Sequence, residues 1–444
     1  MSQSDPAALN YHARPTAGKI STMPTKPCVT QQDLALAYTP GVAAPCLQIR
    51  DNPPDVYKYT VKGNYVAVVS DGTAVLGLGG IGPEAGLPVM EGKCVLFKRF
   101  ADIDAVPLCL GKVLGADGRT DVDRLVAAVE TLEPSFGGIN LEDIAAPACF
   151  RVEQELKRRM GIPVFHDDQH GTAIISLAAL INAARLTGRL LDELKVAASG
   201  AGAAGLSCLR FYVAAGVRRE NIVVCDINGV VTAESARSPE QLELATSRTD
   251  VHSLADAMRG ADVFLGCSAA NLVSEEMVRS MAPSPVVFAM ANPTPEIMPE
   301  RALAAGAAVV GTGRTDFPNQ INNVLGFPGI FRGALDCRAR DITTGMQMAA
   351  ARALAQLAQL PVAGRVREVL ERAYPGDAAA GVFDGENPLK TSYVIPKPFD
   401  PRVVPHVARC VVASAMEEGV AQVAVDDLDA YEQEVAARIA RAGA

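Results

Sequence analysis

Lys195-Val196-Ala197-Ala198-Ser199-Gly200-Ala201-Gly202-Ala203-Ala204-Gly205 is the stretch that decides how this chain is read. Its apolar run has the character of a short buried strand, and it passes straight into a G-x-G-x-x-G turn followed by Leu206, Leu209, Phe211 and Val213 at helical spacing. That glycine spacing alone is a weak signal. The surroundings strengthen it, because the next apolar run, Ile222-Val223-Val224-Cys225, ends in Asp226 about 20 residues beyond the glycines. Strand, glycine turn, helix and acid-terminated strand form a βαβ unit suited to a dinucleotide. In it the glycines at 200, 202 and 205 bring backbone and helix N-terminus up to a pyrophosphate, and Asp226 accepts from the adenosine ribose.

Working outward towards the N-terminus, Ile162-Pro163-Val164-Phe165-His166-Asp167-Asp168-Gln169-His170-Gly171-Thr172 reads as a buried strand with an acidic pair at its carboxyl end. The helix after it is expected over the uncharged run from Thr172 to Ala184. One unit earlier, Gly137-Gly138-Ile139-Asn140-Leu141 leads into Glu142-Asp143. Between the two runs, Cys149 to Met160 reads as a crossover helix stopped by Gly161, which lays the strands parallel and brings both acidic pairs to one sheet edge. Either pair alone is an ordinary set of loop or capping acids. Together, Glu142, Asp143 and Asp168 imply a site for a hard divalent cation, which takes oxygen ligands.

Towards the C-terminus, Ala261 to Leu265, Val286 to Met290 and Val309 to Gly313 read as further buried strands. The second ends in Ala291-Asn292-Pro293-Thr294-Pro295, and the third is followed by Pro318-Asn319-Gln320-Ile321-Asn322-Asn323 and Gly326-Phe327-Pro328-Gly329. Amides at such strand ends serve either as turn formers or as donors to a substrate, and the spacing does not choose between these. Helices are expected from Asp341 to about Tyr374 and from Val403 to Glu418.

The first 60 residues, rich in Pro, Thr and Tyr, read as an irregular arm with a short helical piece at 33–37 running into Tyr38-Thr39-Pro40-Gly41-Val42. On its own Tyr38 reads as a packed aromatic, although a tyrosine at such a break can present its hydroxyl to a cleft. Tyr65 to Ser70 alternates as a strand, and Gly77-Leu78-Gly79-Gly80-Ile81-Gly82 follows with glycines that lack the dinucleotide spacing. Leu87 to Ala101 places Met90, Cys94, Phe97 and Ala101 on one helical face with Lys93 beside it, where a lysine ordinarily snorkels to solvent. Thr120 and Asp123 have capping-box spacing.

Composition bounds the possibilities. At 444 residues, 49% apolar and 20% charged, the chain can build two or three domains around a large core. A net charge of −9 and the lack of a long like-charge block argue against nucleic acid or anionic membrane as partners. Ten cysteines scattered without a C-x-x-C pair suit a reducing compartment. With no leader-like start and no apolar run of spanning length, the cytoplasm is the expected location.

Taken together, Tyr38-Thr39-Pro40-Gly41-Val42, Glu91-Gly92-Lys93, Gly137 to Asp143, Ile162 to Thr172, Ala291-Asn292-Pro293-Thr294 and Gln320-Ile321-Asn322-Asn323 resemble the malic enzymes, specifically their short bacterial branch. The resemblance extends from about Tyr11 to Gly419. It implies an α/β fold in which an N-terminal malate and metal domain at 1–165, carrying the irregular arm, is followed by a Rossmann-type domain at 166–390 and a helical segment at 391–444. It also implies oxidative decarboxylation of L-malate to pyruvate and CO2 with NAD or NADP and Mg2+ or Mn2+. By matching position Lys93 is similar to the family's general base, Tyr38 to its general acid, Glu142, Asp143 and Asp168 to its metal ligands, and Asn292 and Asn323 to groups near substrate and nicotinamide. Asp167 matches an acid beside the metal and is given a supporting role.

The chemistry agrees on independent grounds. Alcohol oxidation needs a base, and burial with neighbouring cations is expected to lower the Lys93 pKa from about 10.4 towards about 7–8. Asp226 favours NAD, whereas Arg237 offers a cation to a 2′-phosphate, so cofactor preference stays open. Larger malic enzymes carry an arginine where this chain has Ala74, which leaves the group gripping the malate carboxylate open. Some bacterial relatives append a phosphotransacetylase-like domain, and regulation through one is not expected in a chain that ends at 444. The competing readings are a malolactic-type or oxaloacetate-decarboxylating lyase using the same site, and a non-enzymatic dinucleotide sensor. The arm looks incomplete without a partner surface, so a homodimer or higher homo-oligomer is expected.

Overall fold

A computed structural model describes residues 5–442. Short apolar runs bounded by glycine and acidic turns produce parallel strands buried on both faces, the pattern of sheets covered by helices on either side. The first sheet contains β1 (Tyr65–Ser70), β2 (Asp104–Cys109), β3 (Gly138–Leu141) and β4 (Val164–His166) in the order β2-β1-β3-β4. All its pairings are parallel, and Leu141 lies opposite His166. The residues that follow β3 and β4, Glu142-Asp143 and Asp167-Asp168, therefore leave the same edge side by side.

The second sheet contains β5 (Val196–Ser199), β6 (Ile222–Asp226), β7 (Gly229–Val230), β8 (Val263–Gly266), β9 (Val286–Ala289) and β10 (Val309–Thr312) in the order β10-β9-β8-β5-β6-β7. Only the short β7 runs antiparallel. From β5 the chain builds outward to β6 and then returns to the other side with β8. Strand order thus reverses between β5 and β8, and in such folds ligands bind outside the carboxyl ends at this point. This is the Rossmann-type arrangement that the glycine turn implied.

Helices α1 (Pro6–Ala13), α2 (Gln31–Ala37), α3 (Ala43–Asp51) and α4 (Val56–Tyr59) form the arm, and none of them contains a buried residue. The arm is held to the body at Lys19, whose N–H donates to Glu91 Oε2 (3.0 Å) and whose ammonium donates to the Pro88 carbonyl (2.6 Å). Helices α5 (Pro83–Ala101), α6 (Val122–Glu130) and α7 (Ala148–Arg159) flank the first sheet. The long α8 (Asp167–Leu186) leads to β5, and α9 (Ala203–Ala214) follows the glycine turn.

Short helices α10 (Pro239–Glu243), α11 (Leu254–Met258), α12 (Glu275–Arg279) and α13 (Pro299–Ala304) accompany the remaining strands of the second sheet. The chain then closes with α14 (Phe327–Asp336), α15 (Thr344–Leu357), α16 (Gly364–Ala373), α17 (Pro375–Ala379), α18 (Val403–Glu417) and α19 (Leu428–Ala442). Of these, α14 packs on α5 and α18, and α15 packs on α8 and α18. One apolar cluster consequently runs from α5 and β1 through α8 to β5 and the C-terminal helices.

The structure departs from the sequence reading at several element ends. Helix α8 begins at Asp167 rather than near Thr172, because two carboxylates in a first turn complement the exposed N–H groups there. Asp121, not Thr120, caps α6, while the Thr120 hydroxyl donates to Asp71 Oδ2 at 2.6 Å. Strand β2 was not foreseen. It carries Pro107 and lies at a sheet edge, where a missing N–H is tolerated. Beyond the helix expected to end at Glu418, α19 adds a further one, with Tyr431 and Val435 buried on it.

Candidate active site

Loops at the carboxyl ends of the two sheets meet. Gly77, in the loop after β1, lies so close to the loop after β9 that an added Cβ would sit 2.4 Å from the Asn292 carbonyl oxygen. Asn323, beyond β10, donates through Nδ2 to the Asp167 carbonyl (3.2 Å) and to Asp167 Oδ2 (3.1 Å). Loops separated by about half the chain thus meet around the acidic turn.

Lys93 is at the centre. Helix α5 buries Met90, Cys94 and Phe97 on its core face, and this drags the neighbouring Lys93 out of solvent until it is 9% exposed. Its Nζ lies 2.5 Å from Asp167 Oδ2, 2.9 Å from Glu142 Oε1 and 4.5 Å from the centroid of the Phe327 ring. Burial by itself pushes this ammonium down, but the carboxylates of Asp167 and Glu142 outweigh burial and hold it above the ordinary lysine range. The expected lowering is therefore not found. The sequence reading counted neighbouring cations, whereas the neighbours are anions.

Glu142, Asp143 and Asp168 gather as anticipated, each offering one oxygen within 4.8 Å of the others. Asp143 takes a left-handed turn (φ 56°), a conformation aspartate tolerates, and its N–H donates to Asp168 Oδ2 at 2.7 Å. Asn140, fully buried on β3, donates through Nδ2 to Glu142 Oε2 (2.9 Å) and fixes that carboxylate. Burial pushes the Glu142 carboxyl well up, and Asp168, Asp167 and Asp143 add to this against the pull of Lys93. With Asp167 fully buried alongside, the carboxylates outnumber the one lysine. An oxygen-only donor set with surplus negative charge fits a hard divalent cation.

The dinucleotide loop is equally constrained. A Cβ at Gly205 would lie 2.0 Å from the Gly200 carbonyl oxygen, and one at Gly200 (φ +108°) would lie 2.3 Å from that of Cys267. A Cβ at Gly202 meets nothing, so this side of the α9 N-terminus is open. The cradle suits a pyrophosphate. Asp226 stands at the carboxyl end of β6, where it accepts from the Asn228 N–H (2.6 Å) and Nδ2 (3.1 Å). Arg237 is exposed, and Asn292 is exposed beside Gly313.

Two of the residues singled out from the sequence fare differently. Asn323 joins the site through Asp167 and accepts from the Thr172 hydroxyl (3.1 Å), so its amide is spent on the acidic turn. Tyr38, at the C-cap of α2, is 69% exposed and is not among the groups that touch Lys93. Missed altogether were Asn140, Phe327 and Glu153. The last lies on α7, and no local spacing connects it to the turn it holds.

These features define a two-sheet α/β protein that sets a lysine and a carboxylate cluster against a dinucleotide-binding sheet. The chain belongs to the malic enzyme family: the description "Malic enzyme, N-terminal domain" matches residues 17–157 and "Malic enzyme, NAD binding domain" matches residues 169–370. It is 53% identical to the NAD-dependent malic enzyme of Rhizobium meliloti (strain 1021) over 96% of this chain and 53% of that protein. It is 49% identical to the bifunctional malic/malolactic enzyme of Bacillus subtilis (strain 168), covering 96% of each. The crystal structure of malic enzyme from Pyrococcus horikoshii Ot3 superimposes with a TM-score of 0.84 at 40% identity, covering 98% of this chain and 95% of that one. The chain spans about half the length of several curated relatives that it matches.

Proposed function

We propose that this chain carries out the oxidative decarboxylation of L-malate to pyruvate and CO2, reducing NAD or NADP, with Mg2+ or Mn2+ held by Glu142, Asp143 and Asp168. The observation that carries the proposal is the buried Lys93 beside a three-carboxylate cluster, on the edge that meets the dinucleotide sheet. A divalent cation held there would supply Lewis-acid polarisation of the oxygens of a bound hydroxy acid.

The residues divide the remaining work. Lys93 takes the proton of the malate hydroxyl as the adjacent C–H bond gives up its hydride, and Tyr38 later returns a proton to the enol carbon left after CO2 departs. Glu142 belongs both to the Lys93 ion pair and to the cluster. Were Glu142 drawn to a cation, one of the two anchors that hold the Lys93 proton would weaken, which is the direction a base needs. Asp167 keeps the ammonium in place through the second anchor, and Asn323 orients Asp167. Gly200, Gly202 and Gly205 form the pyrophosphate cradle, Asp226 accepts from the ribose, and Asn292 stands at the nicotinamide end. In this reading residues 1–165 contribute the base and most of the metal ligands, 166–390 the dinucleotide site and 391–444 a helical brace.

We also propose a homodimer. The arm exposes Leu9, Tyr11, Met23, Val29, Leu34, Leu36 and Tyr38, a concentration of apolar surface that a monomer leaves in water. Contact with a second copy would cover it and carry Tyr38 to a site. No helix among the described residues is long and apolar enough to cross a membrane, and ten free cysteines suit a reducing compartment such as the cytoplasm.

The test is the near-ultraviolet absorbance of reduced nicotinamide with purified protein, L-malate and Mn2+, run separately with NAD and NADP, with pyruvate and lactate assayed at the end. Reduced cofactor in step with pyruvate supports the proposal and ranks the two dinucleotides. Lactate without reduced cofactor replaces it with a malolactic reaction, a second reading favoured by the name of the full-length Bacillus subtilis relative.

A further inference from the structure

His166 and His170 bracket the acidic pair Asp167-Asp168, and a single side chain from another element holds both. Glu153 lies on α7, the crossover between β3 and β4, and is 6% exposed. Its Oε1 accepts the His166 backbone N–H at 3.2 Å, and His170 Nε2 lies 2.8 Å from each of its oxygens. Lys157, one turn further along α7, adds a cation at 3.9 Å. A carboxylate this deeply buried needs close partners, and apart from Lys157 the ones it has are both on the segment carrying Asp167 and Asp168.

The grip has a geometric consequence. His166 ends β4, whereas His170 lies in the first turn of α8. Holding both from behind fixes how the chain turns from strand into helix. It also ties that turn to the crossover that follows Glu142 and Asp143. Glu153 touches none of the three clustered carboxylates and does not touch Lys93, so any influence it has on them passes through the turn.

We propose that Glu153 is a positioning residue for the metal site, setting the distance of Asp168 from Glu142 and Asp143 by clamping the start of α8. The inference rests on the reading of those three carboxylates as a cation site. Groups that orient metal ligands from behind are typically worth about 10–100-fold in metal affinity or activity. A staple that only stabilised the fold would lower the melting temperature and leave metal affinity intact.

The experiment is Mn2+ titration of the full chain, followed by the electron paramagnetic resonance signal of free Mn2+, without malate or dinucleotide and well below the melting temperature of each variant. Wild type, Glu153→Gln and Glu153→Ala are compared. Glu153→Ala is expected to bind Mn2+ about ten-fold more weakly. Glu153→Gln, which keeps an acceptor for the His166 N–H, should fall between, and dinucleotide affinity should stay unchanged in both. If Glu153→Ala does not fold, the weakened binding of Glu153→Gln carries the comparison. Wild-type Mn2+ affinity in a folded variant overturns the positioning role, whereas a wild-type protein that binds no Mn2+ overturns the cation-site reading and this inference with it.

Discussion

Lys93 keeps its charge because the carboxylates of Asp167 and Glu142 outweigh its burial, while burial, reinforced by Asp168, Asp167 and Asp143, pushes Glu142 towards its protonated form. Both groups thus hold their protons more tightly, and the two upward shifts express one fact, that the cluster's carboxylates outnumber the single lysine. Roles can be separated by partial reactions. Lys93→Ala should lower malate oxidation by about 10²–10⁴-fold, the usual worth of a general base, while leaving Mn2+ bound. Tyr38→Phe should spare the reduction of a supplied keto acid and slow the protonation of enolpyruvate, followed by proton exchange at the methyl carbon. Equal loss of every partial reaction in both variants would remove the division of labour. At this scale the sequence displayed the residue types and their order. Phe327 and Glu153 stayed hidden because each meets the site only after distant segments pack, whereas Asn140 stands two residues from the Glu142 it fixes and only its burial on β3 reveals the role.

The glycine turn between β5 and α9 is where element geometry and ligand binding separate cleanly. At Gly205 the obstruction to a side chain is a backbone oxygen, which cannot swing aside, so Gly205→Ala should cost about 1–3 kcal/mol of stability and distort the cradle. At Gly202 a methyl group meets no protein atom. Gly202→Ala should therefore leave the melting temperature unchanged yet weaken dinucleotide binding, because the space it enters is the space a pyrophosphate needs. Calorimetry and titration of reduced-nicotinamide fluorescence read the two effects separately. Wild-type dinucleotide affinity in Gly202→Ala would move the pyrophosphate away from this helix end. The turn was legible because strand, glycines, helix and Asp226 all lie within one short span of sequence. The start of α8 was less so, since an acidic first turn breaks the apolar periodicity by which helices are found.

For the whole molecule the question is what covers the arm. Cys28 and Cys46, both exposed in the single chain, lie on it, while five other cysteines are buried in the body. If a second copy closes over the arm, light scattering should give twice the chain mass, and these two thiols should react with an aromatic disulfide more slowly than their exposure implies. Dilution that splits the dimer should then release them and lower activity together. A fully active monomer would refute the homodimer. The arm's first pinning point, Lys19 against Glu91 and Pro88, lies one turn of α5 from Lys93, so arm and site share a helix.

What the sequence determined by itself was local. The βαβ glycine turn, the two acid-terminated strands and the lysine beside an apolar stripe are each written within a few tens of residues, where backbone sterics and side-chain periodicity act. Order along the chain, together with the right-handed parallel crossover, was enough to bring Glu142, Asp143 and Asp168 to one edge. The tertiary structure alone decided the sign of the Lys93 shift, the union of Asn323 with Asp167 across more than a hundred residues, and the clamp of Glu153 on the acidic turn. Each of these depends on which charges and dipoles end up within a few ångströms in a space that water has left. Electrostatic effects of that kind are set by distance and burial rather than by separation along the chain.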